Sequence, residues 1–497
     1  MKHILSTRKK EVLYTVTGNL LLQIATAICG FILPPLVIGV FGSSVNGMVQ
    51  SVSQFIAYLN IVEAGVGGAS IAALYKPLAD GDVKERNSIL SAAARFYKRS
   101  GVLFVMLVVL LAFVYPLVIG NQVDRIQASP MVLVLGITGA AEFFLIGKYR
   151  VLLTADKKVY VISIVQMLAI IANTAVAVVF IRLHCSILLV KFASAVVYLG
   201  RYVFLSMYVH KNYSQLDFHA EPDRLAIRQS KNVLVHQIGG LVVFNSPLVI
   251  ITIFCSLKDV SVYTVYAMVF GAVNQLLGSF SNGMQSFFGE SLVKDDLERT
   301  RKIFGRYETL FFAVEGWFYS MAYLLIMPFM RLYTVNMTDA EYIQPVLSLL
   351  FVASGVLTNI RNPGGQLINA AGHFKRTQWR SVVEVCINIV SSVIFTLKFG
   401  ICGVVIGSIL SSFYRGIDVV IYTNRHILNL SSFFSFTKII LISLVFGIFI
   451  FFCLKIKFGF ETWIFWIFNA LAEAVICAVP VGIILLSLKK KIARRVV

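Results

Sequence analysis

Residues 95–120 read RFYKRSGVLFVMLVVLLAFVYPLVIG, a basic segment followed by a long apolar run without a charge. A helix needs about 20 mostly apolar residues to cross about 30 Å of bilayer hydrocarbon, and this run is long enough. The next connection holds a single basic residue, Arg125, before apolar sequence resumes. Basic segments of membrane proteins stay in the cytoplasm, so this stretch predicts a membrane-spanning helix that begins on the cytoplasmic side.

The composition of the whole chain agrees with a membrane protein. Of 497 residues, 58% are hydrophobic and 14% are charged, which exceeds the apolar content that a soluble core requires. The net charge of +20 is spread over short segments between apolar runs. A nucleic-acid-binding protein clusters its basic residues on one soluble surface, so we expect no nucleic-acid partner.

The unit of basic segment and apolar run recurs along the chain and predicts an all-α integral membrane protein. The predicted spans number fourteen and lie near residues 13–40, 45–74, 101–120, 131–153, 159–181, 186–208, 233–255, 261–288, 308–333, 343–369, 381–397, 401–423, 437–454 and 463–487. The N-terminal segment, the C-terminal tail and the alternate loops 75–100, 148–158, 209–232, 290–306, 373–380 and 424–436 are basic. The positive-inside rule and the even number of spans both place the two termini in the cytoplasm. We expect a multi-pass protein of the bacterial inner (cytoplasmic) membrane, with the first apolar run too long for a cleaved signal.

The two halves of the sequence share one hydropathy pattern. Residues 45–85 correspond to residues 261–301, and residues 153–158 to residues 369–376, at an offset of about 216 residues. The pattern predicts an N-lobe of six spans (1–210), a cytoplasmic linker (211–231), a C-lobe of six spans (232–430), and two further spans with a basic tail (431–497). We expect a substrate cavity between pseudo-symmetric lobes that open alternately to either side.

Polar side chains recur at helical intervals in the second span and in its counterpart, the eighth. They include Asn46, Gln50, Asn60 and Glu63 in the second span and Asn274 in the eighth. Such stripes face either water or protein in a membrane, so two interpretations stay open. The residues line a central cavity, or they make hydrogen bonds between helices.

Arg361 is the most informative single residue, because it lies inside the tenth span, just before Asn362-Pro363-Gly364-Gly365. Proline and two glycines loosen a helix, and irregular backbone at membrane depth is tolerated beside a cavity. A guanidinium group suits a phosphate, so we predict that Arg361 binds substrate, with snorkelling to the interface as the alternative. Lys191, in the middle of the sixth span, is a second cavity candidate. Arg201 and Arg415 lie closer to the cytoplasmic ends of their spans, where snorkelling competes more strongly with binding.

Acidic residues within the spans are candidates for coupling transport to an ion gradient, with Na⁺ or H⁺ as the ion. We select Glu63, because it shares the polar stripe, together with Glu384; pairing with a basic neighbour is the alternative for each. The sequence has no phosphate-binding GxxxxGK[ST] loop, no GxSxG and no HExxH, and its seven cysteines are scattered. We therefore expect a transporter without catalytic residues, metal or other cofactor.

Several short motifs, in their order and spacing, resemble one family. They are Phe41-Gly42-Ser43-Ser44-Val45-Asn46-Gly47, Glu63-Ala64-Gly65-Val66-Gly67, Leu74-Tyr75-Lys76-Pro77-Leu78, Val260-Ser261-Val262-Tyr263, Phe288-Gly289, Ile360-Arg361-Asn362-Pro363, Ala371-Gly372-His373-Phe374-Lys375-Arg376-Thr377 and Gly403-Val404-Val405-Ile406-Gly407 before Tyr414-Arg415. To about residue 430 the chain resembles the Wzx-type polysaccharide flippases of the multidrug/oligosaccharidyl-lipid/polysaccharide (MATE/MOP) exporter superfamily.

The resemblance implies a MATE-like fold of two six-helix lobes plus two trailing helices. It also implies an undecaprenyl-diphosphate-linked oligosaccharide as substrate, moved from the inner to the outer leaflet during O-antigen (lipopolysaccharide), capsule or exopolysaccharide assembly. Relatives use cationic cavity residues to bind the diphosphate or acidic sugars, so the resemblance implies that Arg361 and Arg201 bind substrate. A polysaccharide polymerase and other assembly proteins are the implied partners, and a monomer is expected. Where relatives often show Asn-Thr-Asp in the seventh span, this chain has Asn245-Ser246-Pro247, which puts ion coupling at that point in doubt.

Three other functions stay open. A Na⁺- or H⁺-coupled drug or metabolite exporter of the MATE type predicts an acidic cavity lined by aromatic residues. A lipid II flippase shares the fold and the lipid carrier. A non-transporting assembly scaffold predicts intramembrane polar groups that all satisfy one another.

Overall fold

The computed structural model describes residues 2–63, 66–213, 215–223, 243, 245–282, 284–293, 296–455 and 462–493, and every regular element in that part is helical. The chain divides into two compact units, Met1–Ser261 and Val262–Val497. Within the described residues, eleven helices are long and apolar enough to cross a membrane. The protein is a multi-pass membrane protein, as the hydropathy predicts.

The helices of the first unit are α1 (Lys2–Phe41), α2 (Ser43–Leu59), α3 (Val66–Asp80), α4 (Val83–Ile119), α5 (Arg125–Ala141), α6 (Gly147–Ala155), α7 (Val159–Arg182), α8 (Ile187–Asn212) and α9 (Asn245–Phe254). Helix α10 (Leu257–Asn282) starts at the boundary between the units. The second unit continues with α11 (Met284–Val293), α12 (Leu297–Tyr333), α13 (Pro345–Ile360), α14 (Asn362–Ala370), α15 (Phe374–Phe399), α16 (Ile401–Tyr422), α17 (Phe433–Cys453) and α18 (Trp463–Ala493). A 3₁₀ segment (Asn60–Glu63) follows α2, and π-helical segments (Glu142–Ile146 and Thr423–Ile427) follow α5 and α16.

Eleven of the predicted spans are confirmed as single long apolar helices, and the other three differ. The second span is a pair, Ser43–Glu63 and Gly67–Asp80, bent by 45°. The tenth span is broken at Arg361, where α13 ends and α14 begins, so the predicted loosening ahead of Pro363 is confirmed. Of the seventh, residues 245–254 are a short apolar helix, and residues 224–242 lie outside the described part of the chain.

The predicted cytoplasmic loops 75–100 and 290–306 are wrong as loops, because helices occupy most of both. Helices α4 and α12 each have 37 residues, about 55 Å at 1.5 Å per residue, which is longer than the hydrocarbon thickness. Their N-caps are Asp82, which accepts from the Glu85 amide at 2.9 Å, and Asp296, which accepts from the Arg299 amide at 2.8 Å. Hydropathy locates the apolar part of each helix, whereas the carboxylate cap sets its start.

The internal repeat also appears in the contacts at the ends of these two helices. In the first unit, Arg86 donates to the carbonyl of Gln215 at 3.3 Å, just after α8. In the second unit, Arg301 donates to the carbonyl of Leu428 at 2.7 Å, just after α16. Gln215 and Asn429 both have positive φ, 63° and 51°. In each unit an arginine near the start of the 37-residue helix, α4 or α12, therefore holds the chain that follows α8 or α16.

Helix α9 packs within the first unit. The Thr252 hydroxyl donates to Ser51 of α2 at 2.9 Å, and a side chain at Gly47 would collide with the Leu257 carbonyl. The predicted lobe boundaries at residues 210 and 232 stay predictions, because most of the chain between α8 and α9 lies outside the described residues.

The two helices after the repeat pack against α12 in the second unit. Lys438 of α17 contacts Glu308 at 2.7 Å, and the Trp317 indole donates to the Ala474 carbonyl of α18 at 3.0 Å. Gly316 leaves room for the ring of Phe446, which a Cβ would meet. The appended pair is therefore held by an ion pair, a hydrogen bond and close packing along one helix.

Candidate functional site

A continuous chain of opposite charges links three helices of the second unit, and we call it the second-unit network. Arg361, between α13 and α14, pairs with Glu384 of α15, whose other oxygen lies 3.4 Å from Arg415 Nε on α16. Arg415 Nη1 is 2.9 Å from Asp418, one turn further along α16, and Asp418 also pairs with Arg380 of α15. All five side chains lie at or within predicted spans, so their charges are shielded mainly by each other.

The five side chains of the second-unit network, three guanidinium groups and two carboxylates, sum to a net charge of +1. The side chain of Glu384 is 7% exposed and that of Arg361 is 20% exposed, so the carboxylate is buried and the arginine reaches the edge. Arg380 Nε is buried and has no hydrogen-bond partner among the described residues. Arginine stays protonated in proteins, so the surplus charge is permanent and favours an anion.

Close helix packing places Arg361. Pro363 lies in the first turn of α14, where its missing amide hydrogen breaks no helical bond. A Cβ on Gly364 would lie 2.7 Å from the Thr423 hydroxyl, so only glycine lets α14 approach the end of α16 this closely. The Gly365 amide donates to the Arg361 carbonyl at 2.8 Å, which joins the two helix segments across the break.

The first unit has a network of its own, centred on Arg150 of α6. Arg150 pairs with Glu63, at the end of the 3₁₀ segment, and lies 2.8 Å from Glu142 of the π-helical segment. The Tyr97 hydroxyl of α4 donates to the same oxygen of Glu63 at 2.8 Å. Glu63 is therefore held from two sides in the described structure.

Arg201 of α8 joins this first-unit network at its other end. It lies 3.5 Å from Glu142 and donates to the side-chain oxygen of Gln166 on α7. In the second unit, Arg415, the counterpart of Arg201, faces Glu384. An arginine of α8 therefore faces α7 in the first unit, as an arginine of α16 faces α15 in the second, but its partner on α7 is the amide of Gln166. The first-unit network, two arginines and two glutamates, is neutral.

The structure brings some of the predicted site residues together. Arg361, Arg415 and Glu384 are members of one network, and Arg201 belongs to the other. Arg201 and Arg415 make ion pairs with neighbouring helices, whereas simple snorkelling would leave them with solvent. Lys191 is half-buried on α8 without a hydrogen bond or ion pair to another described residue.

Two of the predicted cavity asparagines make hydrogen bonds between helices. Asn46 is 2% exposed and donates to the Ser261 hydroxyl at 2.8 Å. The Asn274 side-chain oxygen accepts from the Tyr319 hydroxyl at 2.8 Å and from the Asn359 amide at 2.6 Å. In this conformation both asparagines make the hydrogen bonds between helices that the second interpretation of the polar stripes predicts.

The remaining stripe residues are more accessible: Gln50 is half-buried and Asn60 is exposed. Their contact with substrate stays a prediction.

Sequence reasoning missed Arg150 and Arg380 as members of the networks, because both were assigned to basic loops. One signal was present: Arg380 and Glu384 are four residues apart, and Arg415 and Asp418 are three apart, spacings that bring ionic side chains together on a helix. Among the described residues, no group of three or more histidine, cysteine or acidic side chains is arranged to hold a metal ion.

Solved structures of known transporters are similar to this chain. A multidrug resistance MATE family transporter of the MOP superfamily, in an inward-facing conformation, superposes with a TM-score of 0.64 at 12% identity, covering 81% of this chain and 94% of that one. The lipid II flippase MurJ, in an inward closed conformation, gives a TM-score of 0.61 at 16% identity, covering 92% of this chain and 98% of that one. The chain has the MATE-like fold. An outward-facing MATE transporter gives 0.51 at 13% identity, covering 83% and 94%.

These identities show the fold and not the substrate. No protein-family model matches the sequence, and no curated protein matches it. The resemblance to the Wzx-type flippases stays a prediction.

Proposed function

We propose that the protein is a flippase, which moves an undecaprenyl-diphosphate-linked oligosaccharide from the inner to the outer leaflet of the bacterial cytoplasmic membrane by alternating access. The observation that carries the proposal is the net positive charge of the second-unit network, located at a helix break inside the membrane. An exporter of small cations would gain nothing from a permanent positive charge there.

A diphosphate cannot cross hydrocarbon unaided, because removing its charges from water is very costly. Guanidinium groups replace that water with charge-assisted, bidentate hydrogen bonds. Arg361 lies at the helix break and is one of the more exposed members of the network, so it is the residue best placed to meet a diphosphate. Without substrate, Glu384 holds its side chain in position.

The other parts of the substrate make different demands. The polyprenyl chain stays in lipid throughout, which needs no polar partner. The accessible side chains Gln50 and Asn60 offer hydrogen bonds to sugars, and Lys191 and Arg201 remain predicted contacts of the diphosphate. A neighbour in fold, MurJ, is named a lipid II flippase, which supports a lipid-linked substrate.

The test is complementation of a strain that lacks this chain and accumulates lipid-linked repeat units. Wild-type protein should reverse the accumulation and restore surface polymer, whereas Arg361→Ala should do neither at an equal level of folded protein. Arg331→Ala, at the exposed end of α12, is the matched control and should behave as wild type. Normal surface polymer with Arg361→Ala would remove this residue from the mechanism.

One observation favours a second candidate, an exporter of organic cations. A cavity of the second unit is lined by Glu315 together with Phe312, Tyr319 and Phe446, the acidic and aromatic character that such a function predicts. Cation-efflux measurements in the same deletion strain test it: loss of efflux with Glu315→Gln and intact surface polymer would favour this candidate.

A further inference from the structure

A cavity lies between α12, α13 and the appended helix α17. Its walls are mainly apolar, with Val352 and Val356 from α13 and Ile442 and Phe446 from α17. The polar groups in its lining are few: Glu315, Tyr319 and Ser320 of α12 and Ser443 of α17. An ionisable side chain in such surroundings needs an explanation.

Glu315 is that side chain, and it is 3% exposed. Its Oε1 atom is buried and has no hydrogen-bond partner among the described residues, and neither has the hydroxyl of Ser320. The acidic side chains of the two networks, by contrast, are all paired with arginine. An isolated carboxylate in an apolar environment is very costly, so this site calls for a cation.

Glu308, two turns earlier on the same helix, is a natural comparison. It is equally buried, at 2% exposure, and also lies against α17, but Lys438 pairs with it at 2.7 Å. The positions at the same distance from the start of α4 are Ala94 and Gly101, which carry no charge. Both carboxylates therefore belong to the helix that receives the appended pair, and one of them lacks its cation.

Glu315 is the one charged residue among the described residues that line the cavity. Helix α13 has no charged residue between Pro345 and Ile360, and α10 has its charges in its first turn. Lys438 of α17 pairs with Glu308, and Tyr319 donates to Asn274. Glu473 of α18 is also 3% exposed, with an Oε2 atom that has no hydrogen-bond partner among the described residues, but it does not line this cavity.

The local backbone points to the smallest cation. Sodium sites in transporters draw on carbonyls of unwound helices, but α12, α13 and α17 are regular helices along this cavity, so their carbonyls are engaged. We propose that Glu315 is a proton-binding site covered by α17. The carboxylic acid is the form compatible with α17 packed on α12, and the proton passes to water as hydronium when α17 separates and water enters, leaving the carboxylate hydrated.

This arrangement couples one proton to the position of α17. While the closed form is protonated and the open form is ionised, release of one proton on opening raises the ratio of open to closed protein about tenfold per pH unit. The inference goes beyond the proposed flippase function and does not depend on the identity of the transported molecule.

Infrared spectroscopy of the purified full-length protein tests the site directly. We expect a carbonyl-stretch band of a protonated carboxyl group that is lost in Glu315→Gln and retained in Glu308→Gln, the matched control on the same helix. Should Glu315→Gln fail to fold, Glu315→Asp must shift the band. A band unchanged by both Glu315 variants would overturn the proposal. So would its disappearance when sodium chloride or tetraphenylphosphonium replaces choline chloride, which would assign the site to that cation.

The movement of α17 has its own test. Spin labels at the exposed positions Lys302 and Phe434, in a protein whose native cysteines are replaced, report the distance between α12 and α17. The ratio of the long-distance to the short-distance population should rise about tenfold per pH unit with Glu315 and stay constant with Glu315→Gln. The same pH dependence in both proteins would contradict the coupling. Neither measurement involves a glycan, so failure here leaves the flippase proposal standing.

Discussion

Replacing Glu384 with glutamine removes the carboxylate that holds Arg361 and Arg415, and the net charge of the second-unit network rises from +1 to +2. Glu384 is 7% exposed, so water cannot compensate for its loss. Breaking a buried ion pair by neutralising one partner typically costs about 3–5 kcal/mol, because the other charge stays buried. The side-chain amide oxygen of the new glutamine still accepts one hydrogen bond, so we expect the lower end of that range.

The matched control is Glu298→Gln, which breaks the exposed pair of Glu298 with Lys302 at 3.3 Å. Exposed pairs contribute about 0–1 kcal/mol, so this variant should unfold almost as wild type does. Denaturant unfolding in detergent, followed by tryptophan fluorescence, measures both. The double variant Glu384→Gln/Arg361→Gln restores the net charge of +1 and should recover part of the loss. If Glu384→Gln destabilises no more than Glu298→Gln, the network is not held together by its buried charges.

Three further predictions concern packing, the appended helices and pH. Gly364→Ala places a methyl group 2.7 Å from the Thr423 hydroxyl and should cost about 1–3 kcal/mol in unfolding free energy, whereas Gly365→Ala meets nothing within 4 Å and should be neutral in the same assay. Lys438→Met leaves Glu308 buried without its cation and should loosen α17, seen as faster amide hydrogen exchange in α17 than with the exposed control Lys302→Met. Burial lowers the pKa of His373, in the connection before α15, with Arg376 and His426 adding to the effect. The pKa of His373 is therefore lower in the folded than in the unfolded protein. Its contribution to stability is present above the unfolded-state pKa near 6.5 and is lost as the pH falls below it. His373→Gln should flatten that part of the curve of unfolding free energy against pH.

The fold follows from the sequence to the extent that apolar length decides it. Eleven spans come directly from hydropathy, because a helix that crosses lipid needs an uninterrupted apolar stretch. Hydropathy does not predict how far a helix extends beyond its apolar part, as α4 and α12 do from their N-caps at Asp82 and Asp296. The sequence predicts the break at Arg361, because Pro363 and two glycines follow it closely.

The candidate site was harder to predict than the fold. Arg361, Arg415 and Glu384 are recognisable, because charges inside apolar runs are rare and costly. Which charge meets which depends on the rotation of packed helices, and this is why Glu63 and Glu384 were selected for ion coupling although both are paired with arginine. Glu315 looks like any other intramembrane acid in the sequence, and only the packing of α17 distinguishes it.

Binding of undecaprenyl diphosphate to the purified protein, with undecaprenol as the uncharged reference, addresses the role of the second-unit network most directly. We expect wild-type protein to prefer the diphosphate, and Arg361→Ala to lose about 10- to 100-fold in affinity for it, as expected for one charge-assisted hydrogen-bonding group worth about 1.5–3 kcal/mol. Undecaprenol affinity should be unchanged. Equal binding of both lipids by wild type, or undiminished diphosphate binding by Arg361→Ala, would contradict the account.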